Sequence, residues 1–250
     1  MKKVLYAELT PQEFREKIKE CPVAYLPLGT IEWHGEHLPL GADGIQSQGF
    51  FVKLAEKVGG IVLPMLFMGP DRVAETENGV LYGMDTWTGE KQTNNKIREP
   101  GQLDGSAYWL SDESFYNLID NIFMQLKRAG FKIIVAHGHG PSTNQVAKYA
   151  KDWLEKYGLI VINCWGSEYD AEGMGIQVDH AAANETSLVW ALRPELVQME
   201  RLSKIPEEFP VAVGGKDPRI YASKEKGEKI IELNLEHMAG ILYEILQNIR

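Results

Sequence analysis

Short, unbroken apolar runs alternate with stretches of helical period along this chain. The runs lie at 23–28, 61–66, 132–136 and 159–164. Runs of this kind mark strands buried on both faces. Between them, Thr10-Pro11-Gln12-Glu13 predicts a helix start: Thr10 caps, Pro11 suits the first turn and Glu13 closes a capping box, after which Phe14 and Ile18 share a face. A second helix is predicted over 45–58, with Phe50, Phe51, Leu54 and Ala55 apolar and Gly59-Gly60 ending it. The polar sequence 111–114 caps a third, in which Phe115, Leu118, Ile119, Ile122, Phe123 and Leu126 keep helical spacing up to Gly130. Further helices are expected over 143–157, through Leu188, Val189 and Leu192 to a stop at Pro194, and over 222–249. Strand–helix alternation with continuous apolar strands predicts an α/β fold, a mostly parallel sheet covered on both faces. With no internal repeat and no linker, residues 1–250 form one expected domain.

Two stretches break the rhythm. Residues 69–111 form a long excursion without periodicity, polar at 71–78 and rich in Gly, Thr, Asn and charge at 86–105; long aperiodic stretches in compact domains are functional or disordered. Residues 165–178 are acidic and carry Gly166, Gly173 and Gly175 as hinge candidates. This second stretch is either a loop that closes over substrate or a plain surface connection.

Composition narrows the class. At 250 residues, 44% hydrophobic and 24% charged, the chain has the make-up of a globular domain with a substantial core. A net charge of −9 and no Lys/Arg cluster argue against a nucleic-acid surface. No apolar run is long enough to span a bilayer. Glu8 arrives before a signal-peptide core could form. Cys21 and Cys164 make no close-spaced motif and flank apolar runs, which fits buried thiols in a cytoplasmic protein.

The candidate chemistry gathers where strands end. Glu32, His34, His37 and Asp43 fall within twelve residues directly after the first apolar run, and Glu36 is a further carboxylate there without distinguishing neighbours. His137 and His139 follow the third run, and His180 precedes Glu185 beyond the fourth. Of six histidines only His237 lies elsewhere, in a helical pattern that marks it as ordinary. In open parallel sheets, ligands bind beyond the carboxyl ends of the strands, so the three segments belong to one expected site. Glu, His and Asp together suit borderline divalent metals such as Zn, Mn or Fe. Glu32 and His34, two apart on extended backbone, point to one side. A carboxylate such as Asp43 can bridge a metal pair suited to activating water.

These residues carry a family resemblance. The pattern Glu-x-His-Gly-x-His-Leu-Pro-x-x-x-Asp at 32–43 resembles the N-terminal signature of the creatininase (creatinine amidohydrolase) family. His137-Gly138-His139-Gly140 is similar to the family's Asn-Gly-His-Gly-Gly-Asn segment, and 180–187 to its His-Ala-Gly-Glu-x-Glu-Thr-Ser segment, with Pro194 to Val197 fitting the family pattern beyond that segment. The resemblance implies a three-layer α/β/α fold, often a hexamer, and a two-ion site of Zn, Mn or Fe that hydrolyses an amide-type C–N bond. Carried over by position, it implies Glu32, His34, Asp43 and His139 as metal ligands, Asp43 as the bridge, and Glu185 as the carboxylate completing the site. Creatininase itself uses a Glu two residues after the histidine that aligns with His139; here that place is Pro141, which shifts the burden to Glu185 and weakens creatinine as substrate. Trp33, Ala182 and Ala183 are further departures. The stretch 85–104 is an expected insertion before Gly105-Ser106, serving either as a surface or subunit-contact loop or as a wall of the pocket.

His180 is the expected general acid/base, since histidine titrates near neutrality. His37 is expected to orient a ligand or the loop, and His137 either supports a ligand or touches substrate. The reading is therefore a metal-dependent amidohydrolase acting on a small non-peptide amide, cyclic or formamide, in a homo-oligomer without nucleic-acid or membrane partners. The rivals are a family member that binds metal without turnover and a peptidase-like member. A dinucleotide enzyme is disfavoured because no Gly-x-Gly-x-x-Gly follows the first strand.

Overall fold

Alternate residues of the first strand face opposite ways into two separate cores. Val23 and Tyr25 pack into one apolar cluster, whereas Ala24, Leu26 and Leu28 pack into another. Ile133 and Val135 divide from Ile134 and Ala136 in the same way. A sheet buried on both faces needs apolar residues at every position, which is why these runs are unbroken. The structure, a computed structural model, describes residues 3–77, 79–87 and 99–249.

In chain order the described elements are α1 (Pro11–Glu20), β1 (Val23–Leu28), α2 (Ala42–Val58), β2 (Ile61–Val62), β3 (Val73–Thr76), β4 (Gly79–Tyr82), α3 (Asp112–Ala129), β5 (Ile133–Gly138), α4 (Gly140–Lys148), α5 (Ala150–Tyr157), β6 (Ile160–Ile162), α6 (Glu168–Ala171), α7 (Ala183–Leu192), α8 (Pro218–Tyr221) and α9 (Lys224–Asn248). The main sheet is parallel throughout, in the order β2-β1-β5-β6. Residues of α2, α7 and α9 line the core on one face, and residues of α3 and α5, including Phe115, Phe123 and Trp153, line the core on the other. The three-layer α/β/α arrangement is thus present. In α1, Thr10 accepts the Glu13 N–H and Glu13 accepts the Thr10 N–H, the capping box that the sequence predicts.

Four boundaries differ from the sequence reading. The run 61–66 is a strand only over Ile61–Val62, because Pro64 has no N–H to continue the ladder and Leu66 makes a lone bridge to Leu28. The helix expected from 45 begins at Ala42, which places Asp43 in its first turn. The helix expected over 143–157 is two, broken at Tyr149, whose ring packs on Tyr116 and Trp153. The excursion expected to lack structure contains an antiparallel hairpin, β3–β4, whose Val73 and Val80 are exposed and so give no amphipathic alternation. Of the stretch 85–104, residues 88–98 lie outside the described residues.

The long helix α9 crosses α7 so closely that a Cβ on Gly227 would overlap the Ser187 carbonyl oxygen. This contact seats the helix that carries Glu185. Overpacking of an interior site costs typically about 1–3 kcal/mol. Gly227→Ala is therefore expected to lose at least that much unfolding free energy, read as a lower urea midpoint at unchanged m-value; an unaltered midpoint would show that the helices can separate freely.

Candidate metal centre

The strand ends dictate which side chains meet. The last residue of β5, Gly138, pairs with Leu28, the last of β1, and a Cβ there would overlap the Leu28 carbonyl. His139 follows at the N-terminus of α4, beside the loop after β1 that carries Glu32 and His34. Asp43 stands in the first turn of α2 and Glu185 in the first turn of α7. His180 is held by paired bonds with Gly214, His180 N–H to Gly214 O at 2.9 Å and Gly214 N–H to His180 O at 2.7 Å. Five of the six site residues expected from sequence, Glu32, Asp43, His139, His180 and Glu185, line one cavity of ≈ 650 Å³, and His34 is buried beside it, against Asp43 and Glu185.

Each histidine is anchored on one ring nitrogen and aims the other at carboxylates. His34 Nδ1 donates to the Glu32 carbonyl at 3.1 Å, leaving Nε2 3.6 Å from Asp43 Oδ2 and 3.6 Å from Glu185 Oε2. His139 Nδ1 pairs with Ser142 Oγ at 2.9 Å, and its Nε2 lies 3.3 Å from Asp71 Oδ2 and 3.7 Å from Glu32 Oε1. His180 Nε2 donates to the Trp33 carbonyl at 2.8 Å, and its Nδ1 lies 3.9 Å from Glu32 Oε1. Three groups result, Glu32–His34–His180, Glu32–Asp71–His139 and His34–Asp43–Glu185, with the donor atoms of each within 4.8 Å of one another. Bonds of about 2.0–2.2 Å at tetrahedral angles put ligand atoms roughly 3.3–3.5 Å apart, close to the spacings seen here. Glu32 Oε2, His34 Nε2 and Asp43 Oδ2 are buried without a hydrogen-bond partner. A buried lone pair facing other lone pairs is stable only with a cation between them, so the donor set fits a transition metal.

Electrostatics agree. Burial, and then the neighbouring Asp43, push the Glu32 carboxyl well above the usual range. Burial and Asp43 likewise push Glu185 up to about 8. Burial opposes charge on Asp43 too, yet His34 beside it holds that carboxyl well below its ordinary value. Burial also opposes charge on His34, but Asp43, Glu185 and Glu32 outweigh it and raise the ring to about 10. Burial and the His34 charge lower His180 to about 3, so this imidazole is neutral. Without a metal the pocket retains protons that a bound cation would displace.

The other sequence candidates have supporting places. His37 is buried and outside the three groups; its Nε2 donates to Thr186 Oγ1 at 2.9 Å, since that hydroxyl itself donates to the Ala181 carbonyl. It ties the loop after β1 to α7. His137 is fully buried, donating to the Ile176 carbonyl at 3.1 Å and accepting from the Cys164 N–H at 3.3 Å. It touches no pocket surface and fastens the 165–178 stretch to the sheet. Glu36 is exposed. Burial lowers His37 and His137 each to about 4, consistent with neutral structural rings.

Sequence reasoning passed over three residues. Asp71 joins Glu32 and His139 from the segment before β3. Gln177, in the left-handed region at φ 54°, donates to the Asp43 carbonyl at 3.2 Å and holds a buried, unpartnered Oε1 at the pocket. Asp179 accepts the Asn184 N–H at 2.7 Å and the Glu185 N–H at 3.1 Å, capping α7 at the turn that carries Glu185. Gly69-Pro70-Asp71 follows an apolar run just as the other segments do, and that signal could have found Asp71.

Fold and site together define a layered α/β protein with a pocket of carboxylates and imidazoles, fit to hold a metal, beyond the carboxyl ends of its strands. The family model Creatininase, described as creatinine amidohydrolase, matches residues 7–84 and 98–242, and the chain belongs to this family of hydrolases. The creatinine amidohydrolase of Pseudomonas putida is 25% identical over 280 residues, covering 97% of this chain and 97% of that protein. A 3-dehydro-scyllo-inosose hydrolase of Thermotoga maritima is 24% identical over 208 residues, 79% of this chain and 58% of that protein. The crystal structure of a creatininase shares the fold at a TM-score of 0.73 and 22% identity, with 98% of each chain covered. Solved creatininases of TM-scores 0.71 and 0.70, 22% and 23% identical over 98% and 97% of this chain and 98% of theirs, are described as a Zn-Zn type and as a Mn form.

Removing the hydroxyl that holds His37 leaves a buried N–H without an acceptor, a cost of about 1–3 kcal/mol. Thr186→Val, nearly equal in volume, is expected to lose that much stability in urea unfolding. A loss below 0.5 kcal/mol, roughly the size of a neutral surface change, would show that the His37–Thr186 bond is dispensable.

Proposed function

We propose that this chain is a metal-dependent amidohydrolase that opens a C–N bond of a small non-peptide amide, cyclic or formamide, with two transition-metal ions, zinc foremost and manganese or iron as alternatives. The observation that carries it is the pair of buried rings, His34 and His139, each anchored on one nitrogen and facing two carboxylates with the other, in a pocket where Glu32 Oε2 and Asp43 Oδ2 have no hydrogen-bond partner. Glu32, His34, Asp43, His139 and Glu185 would hold the metal, with Asp43 as the shared carboxylate. When bound, the ions lower the pKa of water and polarise a carbonyl. The relatives' names, an amidohydrolase and a hydrolase of a dehydro-inosose, are both compatible with water attack on an activated carbonyl.

The chain's own residues supply the proton handling. With Nε2–H committed to the Trp33 carbonyl, His180 offers only Nδ1, a lone pair on the pocket side. A neutral ring in that tautomer takes a proton first and returns it to the leaving nitrogen afterwards. Trp33 Nε1 donates to the Val211 carbonyl at 2.9 Å, which fixes the carbonyl that orients His180. Gln177 holds Asp43, and Asp179 with the Ala181 N–H holds Glu185 in place. We also place the protein in the cytoplasm as a homo-oligomer, a hexamer, in line with its buried Cys21 and Cys164, which are in no disulfide, and its exposed Ile205, Val211, Ile220 and Tyr221. Among the described residues no helix is long and apolar enough to cross a membrane.

Protein purified without chelator should contain Zn, Mn or Fe by elemental analysis and hydrolyse members of a cyclic-amide and formamide panel. Its activity should vanish on chelation and return on metal addition. Absence of every transition metal, before and after reconstitution, would end the metalloenzyme reading. His180→Ala should keep its metal and lose turnover by roughly two to four orders of magnitude, whereas Glu185→Ala should lose metal. The opposite pattern would interchange the two roles. Asp43→Ala should lose both ions and His34→Ala mainly one; full metal content in Asp43→Ala would remove it as the bridge.

A further inference from the structure

The pocket contains two nodes of the same design. In one, His34 anchors Nδ1 on the Glu32 carbonyl and presents Nε2 to Asp43 and Glu185. In the other, His139 anchors Nδ1 on Ser142 and presents Nε2 to Glu32 at 3.7 Å and Asp71 at 3.3 Å. Each node is one imidazole and two carboxylates from different segments of the chain. The Asp71 side chain is only 6% exposed although it precedes an exposed hairpin. Its Oδ1 accepts the Arg72 N–H at 2.6 Å, so Oδ2 is the oxygen left for the pocket.

The surrounding backbone makes room for this carboxylate. Gly83, at φ +50°, closes the hairpin opposite Asp71, and a Cβ there would stand 2.6 Å from Asp71 Oδ2. A Cβ on Gly69 would collide with Ser142 Oγ, the anchor of His139. The base of the hairpin is tied down by the Gly83 N–H to the Arg72 carbonyl at 2.9 Å and the Leu110 N–H to the Gly69 carbonyl at 3.0 Å. Glu32, whose Oε1 lies 3.7 Å from the same ring nitrogen, keeps its other oxygen, Oε2, buried with no partner. A structural Asp–His pair would not require a further unpaired carboxylate at the same point; an ion between them does.

We infer that Asp71 is a metal ligand of this protein, completing with Glu32 and His139 the site of the second ion, and that the β3–β4 hairpin is held to the body through that ion. This rests on the metalloenzyme reading above. A divalent transition ion is the fitting class, because the node offers two carboxylate oxygens and one imidazole nitrogen.

The test is metal stoichiometry on the full chain. Wild type, Asp71→Ala and Asp71→Asn are stripped, checked for native circular dichroism, and titrated with Co²⁺ and Zn²⁺ while the cobalt absorption is followed. The expected result is two ions per wild-type chain and one in Asp71→Ala. The lost ion's affinity falls by more than about 100-fold, the upper end of what removing a mere supporting residue costs, and one component of the cobalt spectrum disappears. Gly83→Ala, which displaces the carboxylate without removing it, should weaken the same ion. Asp71→Asn is nearly the same size as Asp71 and should still fold if Asp71→Ala does not; loss of one ion in either folded variant supports the assignment. Two ions at unchanged affinity, or a loss within about 10–100-fold with the spectrum intact, would make Asp71 only a partner of His139. A wild type that binds no ion at all would instead refute the metalloenzyme reading itself.

Discussion

The structure depends on keeping carboxylates together where they repel. Donor atoms of Asp43 and Glu185 lie within 4.8 Å of each other in a water-poor pocket. Two full charges at that distance cost about 3–4 kcal/mol at an effective dielectric constant of about 20, and Glu32 and Asp71 add to the burden. Nothing in a hydrophobic core favours such a cluster. It persists because each member is fixed by backbone that the rest of the fold already pins: a strand end, a helix first turn, a capped turn. The charged His34 ring between the carboxylates offsets part of this repulsion, and the protons that Glu32 and Glu185 retain offset more.

That constraint explains which residues have no freedom. Gly138 has to be glycine, because β5 closes on the Leu28 carbonyl at the point where His139 must enter. Asp179 caps α7 so that the first turn presents Glu185 rather than water-bound amides, and α7 in turn sits where Gly227 lets α9 approach. His37 and His137 carry no metal chemistry. They are tethers, one from the first loop to α7 and the other from β5 to the 165–178 stretch. Removing a tether would let one ligand segment drift while leaving every ligand present, which is why buried neutral histidines surround the charged one.

Much of this was legible in the sequence because two signals are local. Continuous apolar runs announced the central strands, and a helix start such as Thr10-Pro11-Gln12-Glu13 carries its own capping chemistry. The meeting of the candidate segments was legible for a related reason: a parallel sheet places the ends of its strands side by side, so the segments with Glu32, His34 and His139 meet once the strands are placed, and α7 brings Glu185 to them. The features that were not legible depend on contacts far apart in sequence. Pro64 ends a ladder whose partner lies in β1, the helix breaks at Tyr149, whose ring packs on Tyr116, and the hairpin at 73–82 buries only Leu81 among its described strand residues, too little to give it a period. Asp71 escaped notice because its strand end carries a single candidate donor, where the loop after β1 carries several. Only the fold shows that its neighbour in space is His139.

Pro141 sharpens the last point. Where the family resemblance led to a carboxylate two residues beyond His139, this chain has a proline that starts α4 and cannot ligate. Read residue by residue, the resemblance moves that burden to Glu185. Read in space, the His139 ring nitrogen has Glu32 at 3.7 Å and also Asp71 at 3.3 Å. A metal responds to the charge and position of donor atoms and is indifferent to which segment delivers them. What such a site requires is then a set of lone pairs around a point, and a chain can supply them from a hairpin as well as from a helix. The choice has a consequence for the pocket. A ligand delivered by α4 leaves the 69–83 segment free to vary, whereas one delivered by Asp71 makes that segment part of the wall, with Arg72 at its mouth and Met84 at its side. The pocket's shape, and with it the substrate it admits, is thereby tied to the hairpin.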